Sequence, residues 1–407
     1  MDFFEINADL HIHSKYAHAV SKKMEIPVLA EQAKLKGVQL LGTGDCIHGK
    51  WLAHLKENLK GDGIYTYKDK ETKFVVQTEV QALGRVHHVI LLPSLSKAEE
   101  LREKLMRYSN NLDADGRPWL RISGEEIAEK VLECEGLFGP AHAFTPYFGM
   151  FAHFNSLKEC YGKYANKVSF LELGLSADSA LADKISELHK LTFLSNSDAH
   201  SPYPLRIARE FNRMKLKDLT FEELKKALLQ KDGRKIVLNC GFYPEHGKYH
   251  LSRCKNCLMF YKLEDAKKLN WRCGNCGGII NKGVKDKILE IADSEGNPDR
   301  AKYIHIYPLT EIIATAHNIK TFYAKSVSEI WERFIKQFGN EIKILIDVPV
   351  EELKKVDLEV GNYIEAFRKE EINQIPGGAG VYGKLLPLGK KEKIEFFKYR
   401  QKRLGEF

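Results

Sequence analysis

Through about residue 235, short apolar runs with β-like character alternate with amphipathic stretches at helical spacing. The run that ends at His13 is followed by residues 27–36, apolar on one helical face, with Gly37 placed to stop the helix. Further strands are predicted at 38–45, 74–79, 87–92, 137–142 and 168–172, most of them separated by helical segments. This alternation predicts an α/β fold, a barrel or a wound sheet, with any site at the carboxyl ends of the strands. Beyond about residue 286 helical patterns dominate, at 309–317, 326–338, 350–356 and 359–371.

Metal-type ligands cluster at the ends of these apolar runs: Asp9, His11 and His13; Asp45 with His48; Glu79; His142; Asp198 and His200. Residues two apart on a strand point to the same side, so His11 and His13 can serve one ion pair, and Asp198 and His200 repeat the spacing. Imidazoles and carboxylates gathered from many strand ends suit a multinuclear hydrolytic centre, where each ion needs several N/O ligands and an open position for water. A lone His-x-His would more often be two ordinary hydrogen-bonded imidazoles; the agreement of several clusters is what points to a metal site. His87 and His88 are adjacent and face opposite sides of a strand, so only one can enter it.

A second array, Cys254-x2-Cys257 and Cys273-x2-Cys276, offers four thiolates and no open position, which fits one structural Zn2+. The other four cysteines are scattered, so reduced thiols are expected rather than a disulfide framework. The 407 residues exceed what one core usually organises, and with 43% hydrophobic and 29% charged residues the chain has ample material for two or three domains. No apolar run is long enough for a bilayer and no charged-then-apolar leader follows Met1, so a cytoplasmic, nucleoid-associated protein without membrane contact is expected. Most of the net charge of +8 lies beyond residue 240, which suits a polyanionic partner or a solvated surface. Lys255, Lys262, Lys267, Lys268 and Arg272 surround the thiolate array with Tyr261 and Trp271 interleaved, and the last stretch, 390–403, is again basic. The glycine-rich turn with Gly377, Gly378 and Gly380 is either a phosphate contact through its backbone amides or a plain turn; it lacks the Lys-Ser/Thr of a P-loop.

With these motifs in view, the first 235 or so residues resemble the PHP family of metal-dependent phosphoesterases, and the joining of such a domain to a four-cysteine module and an Ile375-Pro-Gly-Gly-Ala-Gly-Val-Tyr-Gly-Lys384 segment resembles the endonuclease Q family. The resemblance implies a distorted, TIM-like β/α barrel over 1–238, a zinc-binding domain over 239–285 and a mainly helical DNA-binding region over 286–407. It implies an endonuclease that cleaves DNA 5′ of deaminated bases (deoxyinosine, deoxyuridine, deoxyxanthosine) or an abasic site, with two or three active-site ions (Zn2+, Mg2+ or Mn2+). Carried over by position, the ligands are His11, His13, Glu79 as the bridge, His87, His142, Asp198 and His200, with Glu79, His142 and Asp198 central to catalysis. At the second motif this chain reads Thr43-Gly-Asp45-Cys46-Ile-His48, so Asp45 or His48, with Cys46 as a third option, supplies the ligand there. Glu172 and Asn196 orient ligands, touch substrate or make ordinary buried contacts. A damaged base in single- or double-stranded DNA must leave the stack to be read. Tyr147 and Phe148, with Phe144 and Phe151, form an aromatic loop that stacks on it, wedges into the gap or packs on the barrel rim. Archaeal members are associated with a sliding clamp through a C-terminal tail; 403–407 carries no convincing clamp motif, and Lys/Glu richness hints at a thermophile. A small-molecule phosphomonoesterase and a non-catalytic nucleic-acid-binding protein are the competing classes, the first having no need of a basic appendage.

Overall fold

The computed structural model describes residues 2–68, 70–203 and 206–398. Part of the basic 390–403 stretch and the whole 403–407 tail therefore lie outside the described residues. The barrel strands are β1 (Phe4–Asp9), β2 (Leu40–Gly42), the hairpin β3 (Leu59–Asp62) and β4 (Ile64–Tyr67), β5 (Lys73–Gln81), β6 (His87–Leu92), β7 (Leu137–Pro140), β8 (Phe170–Glu172), β9 (Thr192–Leu194), β10 (Phe211–Leu216) and β11 (Lys235–Gly241). Pairing runs β11-β10-β1-β2-β5-β6-β7, and β8 pairs with β9 in a sheet of its own. The ring closes through single bonds: Ser169 N donates to Phe138 O between β7 and β8, and Asn239 Nδ2 donates to Phe193 O between β11 and β9. At the first seam Gly139 is required, since a Cβ there would stand 2.1 Å from Phe170 O.

Inside the ring, Ile6, Ala8, Leu10, Leu40, Val75, Val89, Leu91, Phe170, Leu194 and Met214 form a closed apolar plug. Outside it, helices Ile26–Lys36, Gly49–Asn58, Leu95–Met106 and Gly124–Glu133 bury their apolar faces against the opposite side chains of the same strands. The last begins in a capping box between Ser123 and Glu126, which satisfies two otherwise unpaired donors.

The barrel departs from the simple β/α alternation expected. β1 with β2 and β2 with β5 are parallel, but β5, β6 and β7 run antiparallel to one another, as do β1, β10 and β11. The cause between β5 and β6 is local: only 82–86 connects them, with Gly84 and Arg85 at positive φ, too short for a crossover. The boundary expected at 238 falls inside β11. That strand gains a parallel neighbour, β14 (Lys302–His305), from well beyond the four-cysteine unit, whose own strands are β12 (Arg253–Cys254) and β13 (Ile280–Asn281).

Helices Leu309–Ala316, Lys325–Phe338, Val350–Val356 and Leu358–Arg368 follow. They share the outer apolar core with the barrel and are tied to it by a buried ion pair, Lys36 Nζ to Glu341 Oε1 at 2.5 Å, with the second oxygen of Glu341 accepting from Trp331 Nε1, and by Arg213 with Asp347. No helix among the described residues is long and apolar enough to cross a membrane.

Candidate metal centre

Strand parity delivers the candidate ligands. On β5, Gln77 and Glu79 share the inward side with Val75; on β6, His87 shares it with Val89 and Leu91 while His88 points outward to Tyr161. His11 and His13 follow β1, where Ile12 makes a lone bridge to Ala199 that sets Asp198 and His200 opposite them. His142 follows β7. Asp198 and His142 both hold positive φ, at 47° and 30°, a strained conformation for such residues that the surrounding strands impose.

Seven side chains converge in three overlapping groups: His11, His13 and Glu79; Glu79, His87 and His142; His13, Asp198 and His200. Glu79 belongs to two of them. Its Oε1 lies 3.0 Å from both His87 Nδ1 and His142 Nε2, and its Oε2 lies 3.3 Å from His13 Nε2. Asp198 Oδ1 stands 3.1 Å from His13 Nε2 and 3.4 Å from His200 Nε2. The fit to cations shows in the unused atoms: His11 Nε2, His13 Nε2, Asp198 Oδ1 and His200 Nε2 are buried without a hydrogen-bond partner although they face one another.

The far nitrogens of His11, His13 and His87 are fixed. His11 Nδ1 is 3.0 Å from Glu172, which also accepts from the His142 amide (2.7 Å) and Asn196 Nδ2 (2.9 Å). His13 Nδ1 is 2.9 Å from Asp45 Oδ1, while Asp45 Oδ2 takes the amide and hydroxyl of Ser14. His87 Nε2 is 3.1 Å from Gln81 Oε1. Such partners select the tautomer that leaves the inward nitrogen with its lone pair.

Electrostatics agree. Burial disfavours charge throughout, yet Glu172 and Glu79 hold His11 well above its ordinary value, and Asp45, Asp198 and Glu79 do so for His13. Against the same burial, His87 and His11 hold Glu79 well below the carboxylate range, and His13 and His200 do so for Asp198. A site of this kind draws in positive charge, either protons or ions.

Three expected features lie apart from these groups. Asp45 faces the back of His13 rather than the ligand groups, because its two oxygens are committed to His13 and Ser14. His48 caps helix Gly49–Asn58, accepting from Trp51 N, with its other nitrogen 3.1 Å from Asp113 O and its ring stacked on Tyr16; Cys46 lies in the outer core. The amides of Gly377, Gly378 and Gly380 do not face a phosphate: they donate to Glu245 O, Val381 O and Lys248 O, docking the turn on the 245–251 segment. The aromatic loop divides. Phe144 and Phe151 stack in the core, Phe148 stacks on His87 with Arg85 above it, and Tyr147 is 51% exposed beside Tyr249.

Above the ligands opens a cleft of about 330 Å3 lined by His87, His142, Asp198 and His200 on the barrel side and by Lys248, Tyr249 and Tyr382 on the other. Arg117 and Arg209 also line it, and Arg117 Nη1 reaches Glu79 Oε2 at 3.2 Å. Sequence reasoning missed Arg117, Arg209 and Gln81. Only tertiary approach brings the two arginines in, but Gln81 lay within reach of pattern, two residues beyond Glu79 on the same strand.

In the four-cysteine unit Sγ of Cys254 and Cys276 are 3.5 Å apart and those of Cys257 and Cys273 3.4 Å, within the span of one tetrahedral ion. Among the described residues its buried core is Cys254, Tyr261, Ala266, Cys273 and Ile280, with Met259, Leu269, Trp271 and Phe397 packed against it, a small core that a metal staple would reinforce.

A family model described as the MJ0043 C-terminal domain matches residues 308–371. The chain is 43% identical over 264 residues to the uncharacterized protein MJ0043 of Methanocaldococcus jannaschii, covering 63% of this chain but spanning only 32% of that protein. Two solved structures align almost throughout. One is the lesion-specific endonuclease PfuEndoQ of Pyrococcus furiosus, at 48% identity and TM-score 0.90, covering 94% of this chain and 95% of that one. The other is an endonuclease Q in complex with a 27-mer duplex carrying an abasic lesion at its active site, at 47% identity and TM-score 0.88, covering 95% and 99%. Agreement of this extent takes in the barrel, the four-cysteine unit and the C-terminal helices together, and on that ground the chain belongs to the endonuclease Q family.

Proposed function

We propose that this chain is a metal-dependent DNA repair endonuclease that hydrolyses the phosphodiester 5′ of a deaminated base or an abasic site. The observation that carries the reading is the set of three overlapping ligand groups, joined through Glu79 and His13, at the floor of a cation-rimmed cleft, in a chain aligned along its length with lesion-specific endonucleases.

His11, His13, Glu79, His87, His142, Asp198 and His200 would hold two or three divalent ions drawn from Zn2+, Mg2+ and Mn2+, and Cys254, Cys257, Cys273 and Cys276 one structural Zn2+. Bound ions supply a water acidified toward neutral pH and charge neutralisation on the phosphodiester. The protein's own part is orientation. Glu172, Asp45 and Gln81 keep a lone pair on the inward nitrogens of His11, His13 and His87. The plug beneath the ligands keeps bulk water from the barrel side. Arg209, held by its Nε on Ser197 O, and Lys248 set a positive rim for the DNA backbone. Hydrolysis here requires the lesion to leave the stack, which a weakly paired or missing base does at lower cost. Tyr249 and Tyr382 offer aromatic faces within the cleft.

End-labelled duplexes differing at one position (normal base, uracil, hypoxanthine, abasic) test the reading with wild type and Asp198→Asn. A single cut immediately 5′ of the lesion, made by wild type alone, is expected. Intact duplexes with Mg2+, Mn2+ and Zn2+ alike refute it.

A further inference from the structure

The loop that carries Arg117 is built with more care than a surface connection needs. Asp115 accepts through Oδ1 from the amides of both Arg117 and His18. Gly116 donates to Tyr16 O and lies so close to Asp45 that a Cβ would stand 2.3 Å from its Oδ2. The next residues then clamp onto the end of β5: Gln81 N donates to Pro118 O and Leu120 N to Gln81 O. Fixed on both sides, Arg117 projects over the ligand cluster with its side chain 24% exposed. Both Glu79 and Asp198 act on its charge. Its only close anionic contact among the described residues is Glu79 Oε2, the oxygen that also faces His13 Nε2.

That contact cannot be the guanidinium's whole purpose. A Glu79 oxygen that also served a metal ion would have less charge left to hold an arginine, and the guanidinium already lines the cleft above the ligand groups. We propose that Arg117 is a catalytic residue of this reaction, donating to a non-bridging oxygen of the scissile phosphate once Glu79 is engaged by ions. The inference rests on the endonuclease reading above. In the hydrolysis a P–O bond forms to the water oxygen and the P–O3′ bond breaks. One water proton ends on the 3′-oxygen and the other stays with the 5′-phosphate; Arg117 keeps its own protons and lends only charge and hydrogen bonds. A planar fork suits that task better than a point charge, because two N–H groups can follow the oxygens as they flatten in the transition state.

The experiment compares wild type, Arg117→Lys and Arg117→Ala in single-turnover nicking of an abasic duplex. Bound-metal content and duplex affinity in Ca2+ are measured on the same preparations. The expected result is a loss of about 100- to 1,000-fold in the cleavage rate of Arg117→Ala, with metal content unchanged, partial recovery in added guanidinium, and little help from lysine. Cleavage by Arg117→Ala within threefold of wild type overturns the proposal. So does a loss of cleavage that tracks a loss of bound metal and is not rescued by guanidinium, which would make Arg117 a positioning residue for Glu79. The wild-type arm separates the two readings: if wild type itself leaves every duplex intact, the endonuclease reading falls, and the role given to Arg117 falls with it.

Discussion

Replacing Glu172 by glutamine tests whether the carboxylate behind His11 sets the grip on metal. Its oxygens receive His11 Nδ1, the His142 amide and Asn196 Nδ2 at 2.7–3.0 Å, and the side chain is 1% exposed, so no solvent stands ready to replace a lost acceptor. Glutamine keeps the volume but offers one acceptor oxygen and an NH2 that donates, which leaves at least one of the three donors facing another donor. One unpaired buried donor costs about 1–3 kcal/mol of stability. Removing the negative charge also makes His11 Nε2 a weaker base. Partners of this kind change metal affinity by roughly 10- to 100-fold, about 1.4–2.7 kcal/mol. Calorimetric titration of Mn2+ into EDTA-stripped protein, with melting curves of the stripped form, reads both quantities. The variant should bind more weakly by that factor and melt at a lower temperature. Affinity within threefold of wild type and an unchanged melt would refute the idea that Glu172 acts through His11.

The raised values of His11 and His13 stabilise the metal-free fold below their unfolded value near 6.5, a contribution lost as pH rises through the folded values, whereas metal must displace those protons. The rise in melting temperature on adding Mn2+ should therefore grow from pH 6 to pH 8, and a flat or falling increment in scanning fluorimetry would contradict the assignment. Lys36→Met leaves the buried Glu341 carboxylate without its cation and should cost about 3–5 kcal/mol in urea melts, while Lys36→Met with Glu341→Gln, which removes the charge and keeps an acceptor for Trp331 Nε1 or Leu309 N, recovers part of it. Equal stability of the single and double variants would mean that the ion pair is not what holds the helices to the barrel. Cys257→Ser should lower the bound zinc by one equivalent and change Trp271 fluorescence, since that ring packs on the small cysteine-bearing core; unaltered zinc content would place the ion elsewhere. Tyr147→Ala should slow cleavage of duplex lesions more than of single-stranded ones if the exposed ring wedges into the helix; equal slowing on both would count against it.

Much of the candidate site was legible because a strand's period of two is rigid. His11 with His13, Asp198 with His200, and the choice of His87 over His88 all follow from which side of a strand a residue faces, and the structure has each of the first five in the ligand groups with His88 outside. Asp45 and His48 were less legible for a physical reason. Both leave β2 through a turn, with Asp45 at a φ of 41°, and past a turn the parity argument no longer fixes direction. The glycine-rich turn stayed open between two readings because glycine permits close approach without saying to what; here the approaching group is another stretch of backbone. The α/β class followed from alternating patterns. The antiparallel pairs did not, although the short 82–86 connection held the information. That β14 should come back from residue 302 to join β11 is a long-range event with no local signature.

The left-handed backbone at Asp198 carries a consequence for anyone wishing to trap this protein on its substrate. Of the residues that tolerate that conformation, asparagine is the near-isostere of aspartate, and glycine adopts it freely but removes the side chain. Asp198→Asn thus silences the oxygen while sparing the turn, whereas a β-branched residue would shift the loop and, through Ala199, loosen the bridge to Ile12 that keeps His11 and His13 in register. The set of useful inactive variants at this position is accordingly narrow, and it is dictated by a torsion angle rather than by the chemistry of the ligand.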